Sequence, residues 1–94
     1  MVIGLLTLDL HFPGARSLKD KRQALRSLET KIRNRHNVSL AEVEHQDLWQ
    51  RSVLALVAVA TSADGVDQIL QKAATEIERE LPGEVVRVEH EALI

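Results

Sequence analysis

The sequence contains no cysteine and no tyrosine, and phenylalanine and tryptophan occur once each, as Phe12 and Trp49. Without thiols there is no disulfide framework and no thiolate metal site. Two rings cannot furnish the stacking platform on which RRM-type and other single-strand binders rest. The longest apolar run, residues 53–60, is far short of the roughly 20 residues that span a bilayer. Residues 1–10 are apolar but have no basic leader and reach Asp9 too soon for a secretory segment. These absences lead us to expect a soluble, cytoplasmic protein with no membrane partner.

What is present suits one globular domain over residues 1–94, with 45% hydrophobic and 28% charged residues. The formal net charge of −2 conceals an uneven distribution. Residues 16–35 carry Arg16, Lys19, Lys21, Arg22, Arg26, Lys31, Arg33 and Arg35 against Asp20 and Glu29 alone. That segment is strongly basic, and the rest of the chain is correspondingly acidic.

Hydrophobic period sets the element order. Val2, Leu6, Leu8 and Leu10 share one parity and Thr7, Asp9 and His11 the other, which predicts a strand over residues 2–11. Phe12-Pro13-Gly14-Ala15 breaks it, and Ser17-Leu18-Lys19-Asp20 reads as a capping-box-like helix start. Leu18, Leu25, Leu28 and Ile32 fall within about 80° on a helical wheel, the core stripe of a helix ending near His36. Residues 38–45 have strand composition, with a slip of parity near Ala41-Glu42-Val43 that predicts a bulged edge strand. Gln46-Asp47 is expected to form a tight turn into a long central strand, residues 48–60, whose second half is apolar on both parities.

Ser62 or Asp64 then caps a second helix with Val66, Ile69, Leu70, Ala73 and Ile77 on its inner stripe. Pro82-Gly83 stops it, and residues 84–94 form a last strand with Val86, Val88 and Ala92 opposite Arg87, Glu89 and Glu91. The order βαββαβ predicts an α+β ferredoxin-like sandwich. Its four-stranded antiparallel sheet has the order 4-1-3-2, with both helices on one face.

Three blocks, Ser17-Leu18-Lys19-Asp20-Lys21-Arg22-Gln23, Asn37-Val38-Ser39-Leu40-Ala41-Glu42-Val43 and Asp47-Leu48-Trp49-Gln50-Arg51, together resemble the YlxP-like family of small bacterial proteins of unknown function. The resemblance extends over nearly the whole chain and implies the fold more than an activity. Genes of that family often adjoin those for a translation initiation factor and a ribosome-binding factor, which implies a role near ribosome assembly or translation. No catalytic residue comes with the resemblance.

Lys19, Arg22, Arg26 and Arg33 lie within about 60° of one another on the first helix, a stripe roughly 20 Å long that could follow a phosphate backbone. The early cations oppose the helix dipole, which favours acids in that turn. With Arg16 these residues form the expected RNA or anion-binding face of a non-enzymatic module that contacts RNA or a ribosomal particle. An acidic protein partner would fit the same face, and a merely solvated helix face is the plain alternative. Lys21 falls inside the apolar stripe instead and is expected to seek Asp9 or Glu42.

A third reading places an acylphosphatase-like anion site at Arg16, in the Gly14-Ala15-Arg16-Ser17 loop. No nucleophile, base and orienting group converge in the sequence, so no catalytic residue is assigned. No cofactor or metal is expected either, since the topology separates the histidines, with His11 at one end of the sheet and His45 at the other. The helix-free sheet face, with Ile3 and Leu5 at its centre and Arg87 and Glu89 at its rim, is expected to be an interface. A homodimer or larger homo-oligomer acting as scaffold or adaptor would follow.

Overall fold

Two serines start the two helices. In the computed structural model, which describes all 94 residues, the Ser17 hydroxyl accepts the Asp20 N–H and the Ser62 hydroxyl accepts the Gly65 N–H, both at 3.1 Å. Helix α1 runs Leu18–Arg35 and α2 runs Ala63–Glu80, so Ser62 rather than Asp64 is the second cap. The strands are β1 (Val2–His11), β2 (Ser39–Glu44), β3 (Arg51–Ala60) and β4 (Glu84–Ala92). They form one antiparallel sheet in the order β2-β3-β1-β4, as the ferredoxin-like reading predicts. Neither helix is long and apolar enough to cross a membrane.

The core lies between the helices and one sheet face. Leu6, Leu8 and Leu10 of β1 meet Leu54, Leu56 and Ala58 of β3, and above them pack Leu25, Leu28 and Ile32 of α1 and Val66, Leu70, Ala73 and Ile77 of α2. Leu18 is only partly buried, and Lys21 takes its place in the α1 stripe. Gly4 lets α2 close onto the sheet, because a Cβ there would stand 2.5 Å from Cγ1 of Val66.

Both edge strands carry a bulge. The one expected in β2 is present: the pairs Glu42 with Leu54 and Glu44 with Val53 leave Val43 over, so Glu42 stays on the helix side with Leu40 while Glu44 turns to the opposite face. In β4 the pairs Asp9 with Arg87 and Leu10 with Val85 leave Val86 over, so Val86 does not share the parity of Val88. The turn expected at Gln46-Asp47 forms, closed by the Leu48 N–H donating to the His45 carbonyl at 3.0 Å. β3 begins only at Arg51 rather than at residue 48, so the whole connection occupies residues 45–50, and the Phe12 N–H donates to the Gln50 carbonyl at its end.

Antiparallel pairing of β1 with β3 sets His11 opposite Arg51, so His11 and the loop holding His45 share one end of the sheet. This reverses the sequence-based placement. Each of three histidines meets its own carboxylate: His11 with Glu84, His36 with Glu76 and His90 with Asp67. No three His, Asp or Glu side chains converge on one point.

Candidate nucleic-acid interface

The cations of α1 divide by position on the helix. Lys31 and Arg35 lie on the flank toward α2, where Lys31 Nζ is 3.0 Å from Glu80 and Arg35 Nη1 is 2.9 Å from Glu76. Arg33 lies on the other flank, toward β2, where Nη2 donates to the Leu40 carbonyl at 2.8 Å and Nη1 stands 3.5 Å from Glu29. Arg16, Lys19, Arg22 and Arg26 are exposed and have no ion pair within the chain. The cationic surface free to meet another molecule is thus the first half of α1 and the turn before it. Arg33, at the far end of the stripe, is already engaged.

The loop at Arg16 carries its own anion. The Arg16 N–H donates to Oδ2 of Asp20 at 3.1 Å, so the carboxylate occupies the helix start that a phosphate would approach. The Arg16 guanidinium is left exposed beside it and joins Lys19 at the head of the stripe.

Lys21 is fully buried and satisfies all three of its donors. Its ammonium meets Glu42 Oε2 at 3.0 Å, the His45 carbonyl at 2.7 Å and the Arg51 carbonyl at 3.0 Å. Ser52, also buried, donates to the same Glu42 oxygen at 2.6 Å. Asp9 faces the other side of the sheet and pairs with Arg51 at 3.1 Å. His45 reaches Lys21 with φ at 64°, a left-handed conformation costing about 1–3 kcal/mol in a residue with a side chain. The helix-facing side of β2, the strained loop and the start of β3 together aim two carbonyls and a carboxylate at one ammonium, which pins α1 to the β2-β3 connection.

A second buried charged side chain was not anticipated. Glu76 stands among Ala73, Ala74 and Ile77 and is buried, accepting from His36 at 3.0 Å and Arg35 at 2.9 Å. The hydrogen bond from His36, with the Arg35 charge behind it, holds its carboxyl below the usual range. Its spacing offered a signal: Glu76 interrupts the apolar stripe of α2 as Lys21 interrupts that of α1, and Glu80 lies one turn on. The Glu76 contribution to stability is present above about pH 4.5 and is lost as the pH falls through its depressed folded value.

Glu29 behaves in the opposite sense. Burial raises its pKa above 4.5, Glu42 pushes the same way, and Arg33 opposes them. The folded chain therefore holds this proton more tightly than the unfolded chain, and the charged form is a net cost at neutral pH. Glu29→Gln is expected to be more stable than the parent at pH 7 in urea unfolding, and the gap is expected to close below pH 4.5. An unchanged or reversed gap at pH 7 would mean that the Arg33 contact outweighs burial.

The helix-free face is divided. Ile3 opposite Val59 and Leu5 opposite Val57 make one end apolar, and Val59 is half-exposed. The other end is charged, with Asp9 and Arg51, and with Glu44, Arg87 and Glu89 gathered over Val53. Arg87 and Glu89 are ion-paired to each other along β4. They stand at the charged end, whereas Ile3 and Leu5 stand at the apolar end.

The family model described as "Protein of unknown function (DUF503)" matches residues 3–90. The "Uncharacterized protein YlxP" of Bacillus subtilis (strain 168) is 35% identical over 71 residues, which cover 76% of this chain and 77% of that protein. With a family model spanning nearly every element of the fold and a relative of this similarity, the chain belongs to the DUF503 family, described as of unknown function.

Proposed function

We propose that this protein is a non-enzymatic module that binds the phosphate backbone of RNA through Arg16, Lys19, Arg22 and Arg26. The observation that carries the reading is their lack of counter-ions in a chain of net charge −2, while Lys21, Lys31, Arg33 and Arg35 are all engaged. Acids abound elsewhere in the sequence, yet none forms an ion pair with the side chains of these four, Asp20 meeting Arg16 only at its backbone N–H. Phosphate contacts need no base-stacking aromatics, which the sheet does not offer. The gene context implied by the family resemblance makes ribosomal RNA the natural probe.

Filter binding to ribosomal RNA across a salt series tests this. Each phosphate contact contributes about 0.7–0.9 to the slope of log affinity against log salt, so changing all four residues to Gln is expected to reduce that slope by roughly 3. Changing Lys31 and Arg35 to Gln removes as much charge per residue from paired positions and is expected to alter the slope far less. Undetectable or salt-insensitive binding by the parent sinks the RNA reading. Equal losses from the two sets of variants would remove the surface assignment.

A further inference from the structure

The two outer strands present different backbone edges. Ile3 exchanges its hydrogen bonds with Leu93 and Ile94, so by antiparallel alternation Leu5, Thr7 and Asp9 bond toward β4, whereas Gly4, Leu6 and Leu8 bond toward β3. On β4 the partners of those residues, Glu91, Glu89 and Arg87, face inward. Val88 and His90 then turn their N–H and C=O groups outward. The same alternation across β3 leaves Leu40 outward on β2, and there Arg33 donates to the Leu40 carbonyl and the Val43 bulge breaks the edge. The β2 edge is closed by its own chain, and the β4 edge is open from Arg87 to Ala92.

The helices cover β4 little. α2 reaches it through the Asp67–His90 ion pair but packs mainly on β1 and β3, and α1 packs on β2 and α2. Val86 and Val88 remain 54% and 47% exposed, large apolar side chains beside unpaired backbone groups. Such an edge is a template for another strand unless something covers it.

The sequence of β4 names the occupant. We infer that a second copy of this chain pairs antiparallel with β4 about a two-fold axis at Val88, joining the two sheets into one of eight strands. In this register Val88 meets Val88 of the second copy with both outward backbone groups matched. Arg87 stands opposite Glu89 of the second copy and Glu89 opposite its Arg87, on the same face of the sheet. The neighbouring two-fold registers oppose like charges: an axis at Glu89 sets it against itself, and one at His90 sets Glu89 against Glu91. Only the Val88 register matches opposite charge to opposite charge, which is how directly opposed strand residues select a partner.

This inference does not depend on RNA binding. The pairing leaves the basic face of α1 free, since it flanks β2 at the far edge, and the two β2 strands would lie about 34 Å apart, seven strand spacings.

Sedimentation equilibrium of the full chain tests the pairing. The parent is expected at twice the 10.5 kDa chain mass. Arg87→Glu and Glu89→Arg each place like charges across the axis, and each alone is expected to weaken the dimer tenfold or more. Mixed in equal amounts, the two variants are expected to form a heterodimer of nearly parental affinity, which also shows that both fold. Leu5→Lys, on the helix-free face, is expected to leave the dimer intact. A monomeric parent, charge reversals without effect, a mixture that stays monomeric, or dissociation by Leu5→Lys alone would each overturn the inference.

Discussion

Lys21→Met is expected to lose about 3–5 kcal/mol of folding free energy in urea unfolding at neutral pH, the cost of leaving one member of a buried ion pair without the other. The methionine keeps most of the stem's volume, so the loss would report the charge and its hydrogen bonds rather than a cavity. Removing the ammonium strands Glu42, which is mostly shielded from water and otherwise held by Ser52, together with the His45 and Arg51 carbonyls. Adding Glu42→Gln is expected to recover part of the loss, because no uncompensated charge then stays buried. The two carbonyls would still lack a donor, so recovery would stop short of the parent. Lys31→Met offers the contrast: its ion pair with Glu80 is partly open to water, and pairs of that kind contribute about 0–1 kcal/mol. Similar losses at Lys21 and Lys31 would show that the buried network does not pin α1 to the β2-β3 connection.

That network marks where sequence reasoning succeeds and where it stops. Period alone locates Lys21 inside the apolar stripe, and the apolar-on-both-parities run identifies β3 as central. Both follow from side-chain direction, which is local. The choice of Glu42 over Asp9 follows from alternation too, since Glu42 shares a parity with the buried Leu40 while Asp9 is opposite in parity to Leu8 and Leu10. The part of the β2-β3 connection beyond its Gln46-Asp47 turn is not fixed locally, since Lys21 and Phe12, both distant in sequence, hold its carbonyls. Of the candidate interface, the wheel shows the whole stripe from Lys19 to Arg33, but it cannot show that Arg33 is drawn away to the edge of β2. Counter-ions from α2 are invisible to it as well, and they separate Lys31 and Arg35 from the exposed four.

Phe12→Ala is the second large effect. Phe12 is 2% exposed and closes the end of the core beside Leu81 and Ala15, where β1 leaves the sheet. Its backbone fixes the crossing, since its N–H donates to the Gln50 carbonyl at 2.8 Å and its carbonyl accepts the Ala15 N–H at 3.1 Å. Truncating a buried phenylalanine costs about 3–5 kcal/mol, partly through lost transfer energy and partly through the cavity. In a domain of this size the melting temperature would fall by something on the order of 20 °C. Phe12→Leu, which keeps more of the volume, is expected to lose about 1–2 kcal/mol. The exposed basic face separates two kinds of damage. Arg22 and Arg26 lie on the same turns of α1 as the buried Leu25 and Leu28, whereas Arg16 belongs to the turn that the Phe12 backbone anchors. On the proposed RNA reading, Phe12→Ala at temperatures where it stays folded is expected to keep the share of the salt slope due to Arg22 and Arg26. A melting temperature within a few degrees of the parent would show that the ring lies outside the cooperative core.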